Sequence, residues 1–191
     1  AMAAFVGYCV QANGITLPGA LTTSGITYAD ISAAGGPADQ WDALPTAAKV
    51  QIIGAVGVLE LISECTPFLR AAGEEHYVKG GKPGFYPPFS AFNDQLPHPL
   101  PLNLFDPFGF SKNKTPEQKE RGLVIEINNG RLAMIGIFGF VAKSKGLIVP
   151  GLDSVDIPSY SGEYMAPFTA SDALPYVAEM TEMANKMFPW N

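Results

Sequence analysis

Three apolar runs along this chain are flanked by polar, helix-forming residues, and each is bounded by a residue that starts or stops a helix. Asn13-Gly14 follows the first run, Pro67 follows the second, and Thr115-Pro116 precedes the third. These are typical helix boundary signals. The pattern therefore predicts three main helices, at about 1–12, 46–65 and 116–144.

The segments between these runs have weaker patterns. Residues 14–40 and 66–115 are rich in Gly and Pro and lack helical periodicity, so we expect irregular connections. Residues 172–187 have apolar positions on one side, which predicts a short amphipathic helix. Trp41-Asp-Ala-Leu-Pro45 and Phe188-Pro-Trp190-Asn191 carry aromatic residues of the kind found at membrane–water boundaries.

Composition narrows the class of protein. The 191 residues fit a single domain, 1–191. Hydrophobic residues make up 47% and charged residues 16%, well below the roughly 25% charged residues of soluble domains. No apolar run reaches the ~20 residues of a standard membrane span. The helices therefore belong either to a soluble core or to a membrane protein whose polar residues are satisfied by other groups. The net charge of −6 argues against a nucleic-acid partner.

The chain also contains an internal repeat at a constant offset of 132 residues. Six of the first 19 residues are identical to the residue 132 positions later, and four of these six are Gly or Pro. Because Gly and Pro restrict backbone shape, the repeat predicts two equivalent helices with equivalent exits. Small residues at every third position predict close approach of the two helices; they are Ala1, Ala4 and Gly7, and Ala133, Gly136 and Gly139.

The start of the third apolar run contains charges that lack a local partner. Glu126 and Arg131 have no opposite charge three or four residues away. An unpaired charge beside a long apolar run costs several kcal/mol, roughly, so each needs a partner from outside this helix. The repeat places the equivalent acid and Arg of the first helix before residue 1. We therefore expect the first helix to be truncated at its start, with the partners upstream.

The residues indicate binding rather than catalysis. No nucleophile–base pair, acid/base dyad or zinc ligand set is present, and His76 and His98 are expected to be structural. Glu126 and Asn129 lie three residues apart on one helix face. Oxygen ligands in an apolar setting suit Mg²⁺ that needs a single axial donor. A chlorin macrocycle supplies the other four donors and a large apolar face.

The motif Glu126-Ile-Asn-Asn-Gly-Arg-Leu-Ala-Met134 resembles that of the chlorophyll-binding light-harvesting antenna superfamily of thylakoids. Leu104-Phe-Asp-Pro-Phe-Gly-Phe110 precedes it as in that family. His76-Tyr-Val-Lys-Gly-Gly-Lys-Pro-Gly84 and Met165-Ala-Pro-Phe168 resemble the chlorophyll a/c branch. That branch includes the fucoxanthin–chlorophyll proteins of diatoms and brown algae and the peridinin-containing membrane antennae of dinoflagellates. The similarity covers nearly the whole chain.

The resemblance implies an all-α membrane protein with three transmembrane helices, of which the first and third form a pseudo-two-fold crossed pair. Short amphipathic interfacial helices and long loops complete this fold. It implies non-covalent chlorophyll a, chlorophyll c and carotenoids of the fucoxanthin, peridinin or diadinoxanthin type. The expected location is the chloroplast thylakoid membrane, and the expected partners are thylakoid lipids, neighbouring antenna subunits and a photosystem core. The function implied is light capture and transfer of excitation energy to a photosystem core, with photosystem I or a peripheral antenna as the expected setting. No enzymatic chemistry is implied.

The resemblance also implies roles for individual residues. Arg131 would complete an interhelical ion pair that supports a pigment, and Glu126 would take part in the equivalent pair. Lys143 is the repeat partner of Gln11 and stands where other antennae often carry Gln. The implied ligands of chlorophyll Mg²⁺ are Glu126, Asn129, Gln51, Glu60 and Gln11.

Three alternatives remain open at this point. A photoprotective member of the same superfamily would dissipate energy instead of transferring it. A small membrane channel or transporter would use Glu126 and Arg131 as a gated pair and would bind no pigment. A soluble helical enzyme with a buried acid would need no detergent.

Overall fold

A computed structural model describes residues 1–95, 103–162 and 167–187. Two compact units are distinguished: Ala1–Lys49 with the described part of Gly122–Asn191, and Val50–Arg121. The predicted residues His98 and Met165, and the segment Phe188-Pro-Trp190-Asn191, lie outside the described ranges.

The described residues form helices and no β-strand, which confirms the all-α prediction; a single isolated bridge joins Ala20 and Thr27. Short 3₁₀ turns occur at Tyr77–Lys79, Phe89–Ala91, Asn93–Gln95 and Ala170–Asp172. The α-helices in chain order are α1 (Met2–Ala12), α2 (Tyr28–Ser32), α3 (Pro37–Ala43), α4 (Thr46–Glu64), α5 (Thr66–Ala71), α6 (Pro116–Ser144) and α7 (Val177–Met187).

Two segments expected to be irregular contain short helices. Residues 14–40 include α2 and the start of α3. At the start of α2, Thr27 and Asp30 hydrogen-bond to each other's backbone N–H groups, and such a capping box stabilises a helix start. At the start of α3, the Asp39 carboxylate accepts from the Gly36 N–H at 3.1 Å. Residues 66–115 include α5. These helices have five to seven residues, too few to show helical periodicity.

The C-terminal amphipathic helix α7 begins at Val177, five residues later than predicted. The later start of α7 is explained by the backbone conformation of the residues before it. Ala173 and Tyr176 have φ angles of 52° and 67°, in the left-handed region that an α-helix of L-residues does not use. The residues before them form only the short 3₁₀ turn at Ala170–Asp172.

The two copies of the internal repeat share the same backbone hydrogen bonds at the ends of their helices. The N–H of Gly14 donates to Gln11 O at 3.1 Å, and the N–H of Gly146 donates to Lys143 O at 2.8 Å. Ile15 and Leu147 likewise donate to Val10 O and Ala142 O, at 3.2 and 3.1 Å. The two glycines have φ angles of 65° and 83°. Helices α1 and α6 therefore end in the same glycine-dependent manner, 132 residues apart.

Helices α1 and α6 meet through an aromatic stack. The Phe5 ring of α1 lies against Gly136 of α6, where a Cβ atom would come within 2.8 Å of the ring. Phe140 stacks on both Phe5 and Tyr8, with ring centroids 5.4 Å apart in each pair. The close approach expected at Gly7 does not occur, since no described residue beyond its chain neighbours and the adjoining backbone of α1 lies within 4 Å of a Cβ built there.

A buried polar network in the first unit ties the start of α4 to the C-terminal segment. Lys49 is fully buried, and its ammonium donates to both carboxylate oxygens of Asp172, at 2.9 and 3.2 Å, and to Asp42 O at 3.1 Å. The Thr46 hydroxyl and the Thr169 N–H donate to the same carboxylate, each at 2.8 Å. Burial alone would raise the pKa of Asp172, but these hydrogen bonds and the charge of Lys49 hold that pKa at about 2.

In the second unit, a small aromatic cluster forms the core. Phe92 is 2% exposed and packs against Phe68 and Phe89, with ring centroids 4.8 and 5.8 Å apart. Phe89 also contacts the Tyr86 ring edge-on, at 6.1 Å. This cluster fixes the position of residues 86–92 within the unit.

Two described helices, α4 and α6, are long and apolar enough to cross a membrane, and in each only 6% of the apolar stretch is buried. Helix α1 has 11 residues, about 16 Å at 1.5 Å per residue, which is shorter than the ~30 Å of a bilayer core. The side chains that α4 and α6 expose are largely aliphatic or aromatic, for example Val56, Val58, Leu61, Leu123, Leu132, Ile135 and Phe138.

Candidate functional site

Glu126, Asn129 and Arg131 lie along one exposed part of α6. None of these three side chains makes a hydrogen bond or ion pair within the described part of the chain. The ion pairs found there are Lys49–Asp172 and Lys186–Glu182, and the Glu64 carboxylate contacts the His76 ring. Large apolar side chains next to the polar ones are also exposed: Ile127 is 45% and Leu132 is 67% exposed. With no partner among the residues described, these polar groups are exposed for binding in an apolar environment.

Gln51 and Glu60 of α4 are also exposed polar residues on an apolar helix surface. Both side chains are exposed, and neither has a side-chain hydrogen bond among the residues described. Their neighbours Val50 and Leu61 are 50% and 63% exposed. Each residue thus offers a side-chain oxygen on an apolar helix surface.

Gln11 and Lys143, which are repeat partners, differ in their surroundings. The side chain of Gln11 is exposed, although its backbone carbonyl accepts a hydrogen bond from Gln40 at 3.0 Å. The Lys143 ammonium instead donates to the Leu152 carbonyl. A lysine held in this way has no lone pair to offer a metal, so the two-fold repeat does not extend to a second donor at this position.

These donors suit a Mg²⁺ ion that needs one more ligand. No group of three or more His, Cys, Asp or Glu side chains that could hold a bare metal ion occurs in the ranges 1–95, 103–162 and 167–187. Single oxygen donors on apolar helix faces are compatible with Mg²⁺ that already has its equatorial ligands, as in chlorophyll. The exposed aliphatic surface around each donor is compatible with a flat apolar macrocycle. The residues present therefore fit chlorophyll.

His76 has a structural environment, as predicted. Its Nε2 lies 2.5 Å from the Glu64 carboxylate, and its Nδ1 accepts the Val78 N–H at 3.2 Å. Since Nδ1 is an acceptor, Nε2 is the nitrogen that donates to the Glu64 carboxylate. Glu64, which ends α4, is therefore half of a pair with His76, and both nitrogens of His76 are occupied.

Sequence reasoning missed two features. The buried Lys49–Asp172 pair had a signal in the sequence, because Asp42-Ala-Leu-Pro45 recurs 130 residues later, two short of the offset of the repeat, as Asp172-Ala-Leu-Pro175. Both aspartates accept tertiary hydrogen bonds. Asp42 accepts from the Tyr160 hydroxyl at 2.7 Å. Tyr86, which donates to Leu59 O on α4 at 3.2 Å, had no signal because it lies in a segment without periodicity.

Comparison with known proteins identifies the class of pigment protein. Two proteins of Phaeodactylum tricornutum, the fucoxanthin-chlorophyll a-c binding proteins C and D, chloroplastic, are 34% identical to this chain over 76 residues. Those residues are 40% of this chain and 36% of each relative. Protein A of the same organism is 29% identical over 86 residues, 44% of this chain and 43% of the relative. The chain thus spans less than half the length of the curated relatives it matches.

The similarity to these proteins confirms the resemblance to chlorophyll a/c antennae, which the Glu126–Met134 motif indicated at the level of the superfamily and the segments 76–84 and 165–168 at the level of the branch. The sequence model of the family described as "Chlorophyll A-B binding protein" matches residues 1–145, about three quarters of the chain. This chain therefore belongs to the chlorophyll A-B binding protein family, whose members are pigment-binding light-harvesting proteins and not enzymes.

Proposed function

We propose that this chain is an antenna subunit of the chloroplast thylakoid membrane, which binds chlorophyll a, chlorophyll c and carotenoids and transfers excitation energy to a photosystem core. One observation carries the proposal: α4 and α6 expose apolar surface together with oxygen donors that have no partner among the described residues. Such a surface is unfavourable in water, and the donors are unfavourable in bare lipid. Pigments held by these donors within a bilayer satisfy both requirements.

In this arrangement α4 and α6 cross the membrane, and α1 is the third membrane helix, packed on α6 through Phe5 and Gly136. The equivalent helix ends of α1 and α6 support a two-fold relation between them. The relatives' printed names support chlorophyll a and c and fucoxanthin as pigments, and a chloroplast location. Neighbouring antenna subunits, thylakoid lipids and a photosystem core, with photosystem I as one candidate, are the proposed partners.

Each proposed ligand supplies one oxygen. Glu126, Asn129, Gln51, Glu60 and Gln11 hold the Mg²⁺ of separate chlorophylls. When bound, these pigments absorb light; the protein fixes their positions and orientations and sets the polarity around each one. Lys143 supplies no such donor.

Arg131 and Glu126 are proposed to form interhelical ion pairs. Both charges are without a partner in the part of the chain that the structure describes, and an unpaired charge in an apolar environment is strongly unfavourable. A carboxylate and a guanidinium on another membrane helix would neutralise them. The Glu126 carboxylate would then have one oxygen for the guanidinium and one for Mg²⁺.

The first test is the absorption spectrum and the extracted pigments of the purified protein in detergent. We expect chlorophyll a, chlorophyll c and a carotenoid, and a fluorescence lifetime long enough for transfer to a core. A colourless folded protein would favour the channel interpretation. A pigmented protein with strongly shortened fluorescence would favour the energy-dissipating relative.

The second test concerns a single ligand. Asn129→Leu removes the amide oxygen from an exposed position without adding a charge. We expect the loss of one chlorophyll per protein, measured by pigment extraction against protein mass. The matched control is Asn128→Leu, since Asn128 is also exposed but is turned about 100° around the helix from Asn129. Equal pigment content in the two variants would contradict the role of Asn129.

A further inference from the structure

Tyr86 is held beside Glu60 by two independent sets of contacts. Its hydroxyl donates to the carbonyl of Leu59, the residue before Glu60 on α4, at 3.2 Å. Its ring contacts the buried Phe89, which packs on Phe92 in the core of the same unit. The hydroxyl is thus fixed on the helix by a hydrogen bond, and the ring is fixed from behind by the aromatic cluster.

The surface of α4 near Tyr86 contains the proposed ligand. Glu60, Ser63 and Glu64 are spaced by three and four residues, so they share one helix face. Tyr86, Ser63 and Glu64 line the same cavity of about 240 Å³ between α4 and the segment that follows α5. Tyr86 therefore covers the C-terminal part of the face on which Glu60 lies, while Glu60 itself stays exposed.

The electrostatic coupling between the two residues agrees with this placement. Burial raises the pKa of the Tyr86 phenol, and the negative charge of Glu60 raises it further. The hydrogen bond to Leu59 O fixes the direction of the hydroxyl dipole at the turn of α4 that carries Glu60.

We propose that Tyr86 is a second residue of the chlorophyll site at Glu60, where its ring forms one wall of the site and its oriented hydroxyl sets the local polarity. The inference rests on the proposed role of Glu60 as a Mg²⁺ ligand. A chlorin macrocycle is wider than one helical turn of about 5.4 Å, so a pigment held by Glu60 would extend along α4 to the place where Tyr86 lies against the helix. Hydrogen-bonding groups and dipoles beside a cofactor tune its electronic properties. Tyr86 is thus a positioning and tuning residue, and Glu60 is the ligand.

The test is a double-mutant cycle on the pigmented protein with Glu60→Leu, Tyr86→Phe and both together. Pigment content and the red absorption band of chlorophyll are the two readouts. We expect Glu60→Leu to lose one chlorophyll and Tyr86→Phe to keep it but to shift the band of that one pigment. Added to Glu60→Leu, Tyr86→Phe should produce no further spectral change. Phe keeps the ring and its contact with Phe89, so the aromatic core stays intact.

Tyr77→Phe is the matched control, because Tyr77 lines the same cavity and its hydroxyl has no hydrogen bond within the described residues. It should leave the spectrum unchanged. A Tyr86→Phe spectrum identical to wild type, or a shift that persists with Glu60→Leu, would overturn the role of Tyr86 while Glu60 remains a ligand. Full chlorophyll content in Glu60→Leu would overturn both proposals. If the Glu60→Leu protein does not accumulate, Glu60→Gln replaces it in the cycle, because Gln keeps an oxygen donor without the charge. The proposal then requires that Tyr86→Phe shift the chlorophyll band by a different amount in the Glu60→Gln background than in wild type.

Discussion

Replacing Asp172 by Asn tests whether the buried Lys49–Asp172 pair holds the C-terminal segment to the start of α4. The Lys49 side chain is 0% exposed and that of Asp172 is 5% exposed. Asn keeps the size of Asp but removes the negative charge, so the variant leaves a buried ammonium without its counter-ion. Breaking a buried pair in this way costs about 3–5 kcal/mol, most of it from the charge that remains.

This cost can be converted to a temperature. For a chain of 150–250 residues, 1 kcal/mol corresponds to about 2–4 °C in Tm, so Asp172→Asn should lower Tm by roughly 6–20 °C. The measurement is the loss of far-UV circular dichroism on heating the pigmented protein in detergent, at one fixed heating rate. A fixed rate is needed because unfolding of such proteins is commonly irreversible.

Combining Asp172→Asn with Lys49→Met removes the stranded charge as well. The double variant should therefore lose much less than the sum of the two single losses. The control pair is Lys186–Glu182 on α7, whose side chains are 73% and 67% exposed; Lys186→Met should change Tm very little because exposed pairs contribute little. A change for Asp172→Asn as small as the control, or strictly additive losses in the double variant, would refute the reasoning.

Two further predictions concern the same unit. Gly136→Ala places a methyl group within 2.8 Å of the Phe5 ring, so it should cost about 1–3 kcal/mol of stability by overpacking and lower Tm. The control Gly7→Ala has open space around it and should not lower Tm. Equal Tm values for the two variants would contradict the close packing of α1 on α6. The pKa of Asp172, about 2, lies below its ordinary value of 3.8, so as pH falls the unfolded chain binds the proton first. The stabilising contribution, about 2 kcal/mol, is complete above about pH 4 and lost towards about pH 2. The difference in Tm between wild type and Asp172→Asn, followed by circular dichroism of the protein backbone, should thus be constant between about pH 8 and 5 and shrink below about pH 4; a difference that already shrinks near pH 6 would assign the effect to another group.

Most of the long elements could be predicted because their signals are local. The end of α4 and the start of α6 follow from Pro67 and Thr115-Pro116, and the structure has helices at Thr46–Glu64 and Pro116–Ser144. The short helices α2, α3 and α5 were missed, because they form through caps and prolines at their first turns and are too short to repeat an apolar pattern. The late start of α7 depends on two left-handed residues, Ala173 and Tyr176, which no composition rule indicates.

For the candidate ligands, too, some features could be predicted from the sequence and others were visible only in the structure. Glu126 and Asn129 could be selected from sequence because polar residues within an apolar helix require a partner. Their exposure and lack of hydrogen bonds were visible only in the structure. The different surroundings of Gln11 and Lys143 were likewise decided by a contact between Lys143 and the carbonyl of Leu152, which arises from the path of the chain after α6.

The sequence by itself determined the class of this protein, since apolar periodicity, the 132-residue repeat and the motif around Glu126 are properties of neighbouring residues or of fixed offsets. Tertiary structure alone decided which distant groups meet: Lys49 with Asp172, Phe5 with Gly136, and Tyr86 with Leu59. These pairs are separated by 123, 131 and 27 residues. Contacts over such distances depend on how loops return the chain, and loops carry little periodic information from which that path could be read.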